Sequence, residues 1–146
     1  MELDRFIKYK RDFPVMKPED SVMAAINMMI ERNSGVVLVS DSNNKLVGLF
    51  SERDAMVRVL AQQLNPNTTR LAKAMYTEII TRTPDISIEE ALQTMVEGRI
   101  RHLPIVTKDN EIVGLISLRW LLHDRIRELM DDVEALESYL NDAPGG

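Results

Sequence analysis

Apolar residues at Val22, Ala25, Ile26, Met29 and Ile30 recur at three- and four-residue spacing, which predicts a helix with one apolar stripe. Ser21 precedes the stripe in the string PEDS, where its side chain can cap the first turn. A short apolar run, GVVLVS, follows at 35–40. The polar string DSNNK comes next, and then LVGLF at 46–50. Two apolar runs around an Asn- and Asp-rich turn predict a β-hairpin. Ser51 leads into another helical stretch at 55–64, which Asn65-Pro66-Asn67 stops. Residues 13–16 supply a short extended lead-in.

The same order recurs 66 positions later. PDIS precedes a stripe of Ile88, Ala91, Leu92, Met95 and Val96; HLPIVT, KDNE and IVGLI follow, with a lead-in at 79–81. Sliding the chain by 66 gives eleven identities over residues 18–60 without a gap: Pro18, Ser21, Ala25, Met29, Glu31, Asn44, Val47, Gly48, Leu49, Ser51 and Arg53 all repeat. The chain is a tandem duplication. Each unit reads α-β-β-α, or β-α-β-β-α with its lead-in. A two-stranded hairpin is not stable alone, so two such units are expected to pack their sheets together.

One difference between the copies carries chemistry. The first reads GLFSERD at 48–54 and the second GLISLRW at 114–120, so Asp54 answers to Trp120. Ser51 and Asp54 fit a capping box, in which the serine caps the helix and the acid three residues on caps back. They also fit a ligand site, since a carboxylate has two acceptor oxygens and a helix start favours an anion.

The repeat, RHLPIV at 101–106 and the Gly-x-x-Ser-x-x-Asp string together resemble a CBS-domain pair, the Bateman module, over roughly residues 10–125. The resemblance implies an α+β fold of two CBS repeats, 10–66 and 67–125, forming a pseudo-twofold pair with two clefts. It also implies binding of an adenine nucleotide (AMP, ADP or ATP), NAD or S-adenosylmethionine as a regulatory ligand, with no required cofactor. By the same resemblance Asp54 holds the ribose hydroxyls and Ser51 contacts phosphate. Phe50 walls the cleft, and Ile79, Ile80 and Thr81 flank the adenine, with Ile80's backbone reading its edge. Arg101 and His102 face the phosphates. The second cleft has Trp120 in place of the acid, and Asn33-Ser34-Gly35-Val36 in place of the basic string, so one competent cleft is expected. Trp120 is expected to pack into the vacant cleft or an interface. Arg53 and Arg119, present in both copies, are expected in structural ion pairs near the helix starts.

Past Trp120, Leu122, Ile126, Leu129, Val133, Leu136 and Leu140 are spaced 4, 3, 4, 3, 4. This heptad seam predicts an extended helix over 118–141, ended by Pro144-Gly145-Gly146. It either packs back on its own domain or pairs two copies; a homodimer is the expectation, and dimers of such modules agree with the resemblance.

Composition narrows the function classes. The 146 residues carry a net charge of −5 and no cysteine, with two histidines. The acidic balance argues against nucleic acid. The missing thiols exclude disulfides and Cys-based metal sites, and no metal site is expected. MELDRFIKYKRD lacks the apolar core of a secretory signal, and no run is long enough to cross a membrane, so a cytoplasmic location is expected. No nucleophile elbow, P-loop or His-Glu-x-x-His motif occurs, and the pairs Glu89-Glu90 and Asp131-Asp132 diverge on helix surfaces; no catalytic residue is expected. A regulatory module acting on an effector protein is the first reading. The alternative is a structural or interaction module that binds no ligand and dimerises through its CBS faces and C-terminal helix.

Overall fold

The computed structural model describes residues 2–7 and 13–142, so the expected helix stop at Pro144-Gly145-Gly146 lies outside it. Strand β1 (Val15–Met16) precedes helix α1 (Val22–Arg32), then β2 (Val36–Ser40) and β3 (Leu46–Ser51). A helical stretch follows, α2 (Glu52–Asp54) running into a wider helix, Ala55–Leu60, with bonds such as Ala61 N–H to Met56 O spanning five residues. The short helix α3 (Leu71–Ala74) links to the second unit, which contains α4 (Ile88–Gly98), β4 (His102–Val106), β5 (Ile112–Ser117) and α5 (Leu118–Asp142).

The duplication governs the backbone. β2 and β3 pair antiparallel with Val36 opposite Ser51; β4 and β5 pair with His102 opposite Ser117, the same register 66 residues on. A bulge falls between Val39 and Ser40 in one hairpin and between Ile105 and Val106 in the other. Ser21 accepts a hydrogen bond from Ala24 N–H, and Ser87 from Glu90 N–H, so both expected caps form. Both helices also end on a left-handed residue, Asn33 at φ 50° and Arg99 at φ 53°.

The lead-ins differ for a chemical reason. β1 runs parallel to β2, and Leu38 N–H donates to Pro14 O. In the second repeat Arg82 bridges Ile105 in the equivalent place, through Arg82 N–H to Pro104 O and Val106 N–H to Arg82 O. The counterpart of Leu38 is Pro104, which has no N–H, so β4 donates no equivalent bond to Ile80 O.

Both faces of β2 are buried, which explains its unbroken apolar run. Val37 and Val39, with Phe50 from β3, join α1 in the first repeat's core. Val36 and Leu38 face the other way, into a core shared between the repeats with Leu46, Val106, Ile112 and Leu115. The segments ahead of each repeat cross over. Leu71 and Ala74 pack into the first repeat's core, while Leu3, Phe6 and Ile7 pack into the second's.

The hairpin turns close the pair. Leu46 N–H donates to Asn110 O and Ile112 N–H to Asn44 O, both at 3.1 Å. Asn44 Nδ2 reaches Ile112 O at 3.3 Å, and Asn110 Nδ2 reaches Leu46 O at 2.9 Å. The reciprocal bonds mark the pseudo-twofold relation between the repeats.

Candidate functional site

Gly48 shapes the approach to the first motif. A Cβ there would overlap Met75 Sδ and lie 2.7 Å from Met75 Cγ. The bare glycine lets the linker lie along β3, where Leu49 and Tyr76 exchange both backbone bonds at 2.9 and 2.8 Å. The strand then ends at Ser51, whose extended backbone (φ −113°, ψ 169°) makes it the cap of α2.

The capping box is complete. Ser51 Oγ accepts from Asp54 N–H at 3.2 Å, and Asp54 Oδ2 accepts from both Ser51 N–H and Ser51 Oγ–H at 2.9 Å. The other carboxylate oxygen, Oδ1, lies 3.2 Å from Arg58 Nε. The Arg58 guanidinium in turn sits 5.2 Å from the centre of the Tyr76 ring, a cation–π distance. The Asp54 side chain is only 13% exposed, so this carboxylate is oriented by fixed partners and reachable from one side.

Ile79, Ile80 and Thr81 are half-buried and line an open cavity of about 720 Å³ together with Arg82, Glu90 and Gln93. That volume suits a small molecule. Ile79 packs toward the core between the repeats and Ile80 toward the second repeat's core, as alternate residues of an extended segment must. Ile80 Cδ1 would lie 2.8 Å from a Cβ at Gly98. Ile80 O, which receives no bond from Pro104, is an acceptor on this wall.

Arg101 is exposed and His102 half-buried. Arg101 O accepts from Leu118 N–H at 2.9 Å, and His102 lies opposite Ser117. These two therefore stand at the start of the second repeat's own helix, as Gly35, which accepts from Glu52 N–H, does in the first. The structure thus joins Ser51 to Asp54, groups Ile79, Ile80 and Thr81 around one cavity, and sets Arg101 and His102 beside α5.

Three expectations change. Phe50 is fully enclosed in the first repeat's core, so its side chain has no face on a cleft. Trp120 is 54% exposed and meets His123 edge-on, with ring centres 6.2 Å apart, so of its two expected places, the vacant cleft or an interface, the filled cleft is the one that changes. Arg53 and Arg119 are both exposed, and neither forms an ion pair among the described residues. The reading of the motif missed Arg58, although its place four residues after Asp54 on a helix is a pairing signal. It also missed Tyr76 and Arg82, which no spacing rule points to.

Comparison with known proteins follows the same outline. A family model described as CBS domain matches residues 7–61 and 71–121. An Arabidopsis thaliana protein, CBS domain-containing protein CBSCBSPB5, is 33% identical over 90% of this chain; the chain spans about a quarter of its length, 24%. The crystal structure of a conserved protein from Pyrococcus horikoshii superposes with a TM-score of 0.75 at 27% identity, covering 84% of this chain and 90% of that one. CBSX2 from Arabidopsis thaliana, solved in complex with AMP, superposes with a TM-score of 0.72 at 21% identity, covering 86% and 96% of the two chains.

Proposed function

The chain belongs to the CBS-domain family, and from that premise we propose that it is a regulatory module binding one adenosyl compound in a single cleft between its repeats. The ligand class is AMP, ADP, ATP, NAD or S-adenosylmethionine. The repeats are 10–66 and 67–125, with the C-terminal helix over 118–141. The observation that carries the reading is the oriented carboxylate of Asp54, with its Ser51 partner, at the position where the second repeat has Trp120.

In this reading the ribose hydroxyls bind Asp54 Oδ1, the oxygen that now faces Arg58. Ser51 contacts phosphate at the start of α2, where a helix N-terminus favours an anion. Ile79, Ile80 and Thr81 flank the base, and Ile80 O accepts from its edge. Arg101 and His102 supply donors to phosphate, and Phe50 contributes only through its backbone. One fact supports the reading: a protein of the same fold, CBSX2, was solved in complex with AMP. The module acts without catalysis, as a homodimer, on an effector protein in the cytoplasm. Ligand shifts its two repeats only by the difference in affinity for their two arrangements.

A second reading has its own observation. Asp54's oxygens are already occupied by Ser51 and Arg58, so the capping box is complete with no ligand. This favours a structural or interaction module. Thermal unfolding with each of the five ligands separates the two. A ligand at a hundred times its dissociation constant stabilises the fold by about 2.7 kcal/mol. No shift with any of them at millimolar concentration leaves the interaction module standing.

A further inference from the structure

Helix α5 runs from Leu118 to Asp142, and among the described residues the contacts that hold it to the rest of the chain fall in its first part. Leu121 is buried in the second repeat's core. Arg5 pairs with Asp124 at 3.0 Å and Glu128 at 3.4 Å, and Arg125 pairs with Glu89 at 3.0 Å. Among the described residues, no ion pair ties α5 to the rest of the chain beyond Glu128. The family match also ends before the seam, at residue 121.

The seam itself is bare. Leu122, Ile126, Leu129, Val133, Leu136 and Leu140 are between 41% and 61% exposed. In heptad terms Ile126, Val133 and Leu140 are a positions, and Leu122, Leu129 and Leu136 are d positions. The anchors Leu121, Asp124 and Glu128 fall at c, f and c, on the side away from the seam, and Arg125 falls at g on its flank. A groove of about 700 Å³ follows the free side past Ile126, Met130 and Val133. A single helix with this stripe in water is marginal without a partner. Ile126 and Val133 at a, Leu140 at the last a and leucine at every d give each copy a continuous apolar seam for a partner helix.

Charge decides the direction. Residues 119–130 hold three arginines, no lysine and two acids, leaning basic, whereas residues 131–142 hold five acids and no base. Parallel pairing sets the acidic halves against each other and places Asp132 at g beside Glu137 at e of the other copy, twice. Antiparallel pairing sets each acidic half against a basic-leaning one. In the register that uses the whole seam, Leu122 meets Leu140, Ile126 meets Leu136, and Leu129 meets Val133 of the second copy. His123 then flanks Glu137 on both sides, and one like-charge contact remains, Asp132 with its own copy. The overlap from 122 to 140 is about 27 Å long.

We propose that α5 pairs with α5 of a second copy of this chain as an antiparallel two-stranded coiled coil centred near Asp131. This deepens the homodimer part of the reading above and is independent of whether the cleft takes a ligand.

The test uses the full chain without nucleotide. Sedimentation gives the mass, and engineered thiols give the direction, since the chain has no cysteine of its own. The expected results are a dimer, and a dissociation constant raised about tenfold or more by Leu129→Glu with the circular dichroism of the repeats unchanged. Leu122→Cys mixed with Leu140→Cys should cross-link on mild oxidation, while Leu122→Cys alone should not. A monomer at every concentration overturns both the pairing and the homodimer. A dimer indifferent to Leu129→Glu, with no cross-link, overturns the helix pairing and leaves a dimer through the CBS faces. Efficient self-cross-linking of Leu122→Cys overturns the antiparallel direction alone.

Discussion

Asn44 and Asn110 clasp each other's hairpins across the pseudo-twofold axis, each through its side-chain amide and its backbone carbonyl. Both hold left-handed backbones, at φ 63° and 66°. Asparagine is suited to both demands at once, since it tolerates that conformation and carries an amide donor. The identity at these two positions is thereby explained by the interface between the repeats.

Asn110→Ala should therefore destabilise the fold by about 1–2 kcal/mol, from a lost hydrogen bond and a strained turn. Asn110→Gly should cost less, because it keeps the backbone and loses only the amide. Urea denaturation of the two variants checks the order. The double change at 44 and 110 should depart from additivity, as both residues belong to one network.

The Ser51–Asp54–Arg58 cluster changes what a mutation at Asp54 can tell. Asp54→Ala removes half a capping box and an ion pair, so stability should fall by about 1 kcal/mol with or without a ligand role. A lowered melting temperature alone therefore does not separate a ligand contact from a helix cap. Ser51→Ala should cost a similar amount, measured by the same denaturation.

Gly48→Val should lose about 1–3 kcal/mol by forcing Met75 and the linker off β3. Hydrogen exchange at the amides of Leu49 and Tyr76 should quicken in the variant. Unchanged protection at both would contradict the close-approach account of this glycine.

Arg99→Asn should stabilise the protein by about 0.5–1 kcal/mol, because Arg99 caps α4 in a left-handed conformation that Asn33 fills in the first repeat. Thermal unfolding would show it as a raised midpoint. A lowered midpoint would mean that the Arg99 side chain contributes more than its backbone strain costs.

Much of this fold was legible because duplication is a test internal to the sequence. The stripes, caps, hairpins and extended helix all lay in periodicity and in residue types that act locally, such as Ser21 and Ser87. The site was legible only as far as it is local: Ser51 and Asp54 are three residues apart and meet as a capping box should. What escaped depends on long-range packing. Phe50 lies in a strand with alternating faces, and nothing in GLFSERD says which face looks into the core. The crossing of Leu3, Phe6 and Ile7 to the second repeat is likewise invisible in chain order. Pro104 shows the reverse case. Its lack of an N–H was in the sequence, but its consequence for Ile80 O needed the parallel pairing of the lead-in.

The central claim is one adenosyl ligand per chain, held by Asp54. Calorimetric titration of AMP into the wild-type chain and into Asp54→Ala, below the melting range of both, tests it most directly. The account predicts a stoichiometry of about one per chain for the wild type, and affinity weakened about tenfold or more in the variant, since a buried polar contact to the sugar is lost. Equal affinity in the two proteins, or two equivalent sites per chain, would contradict it.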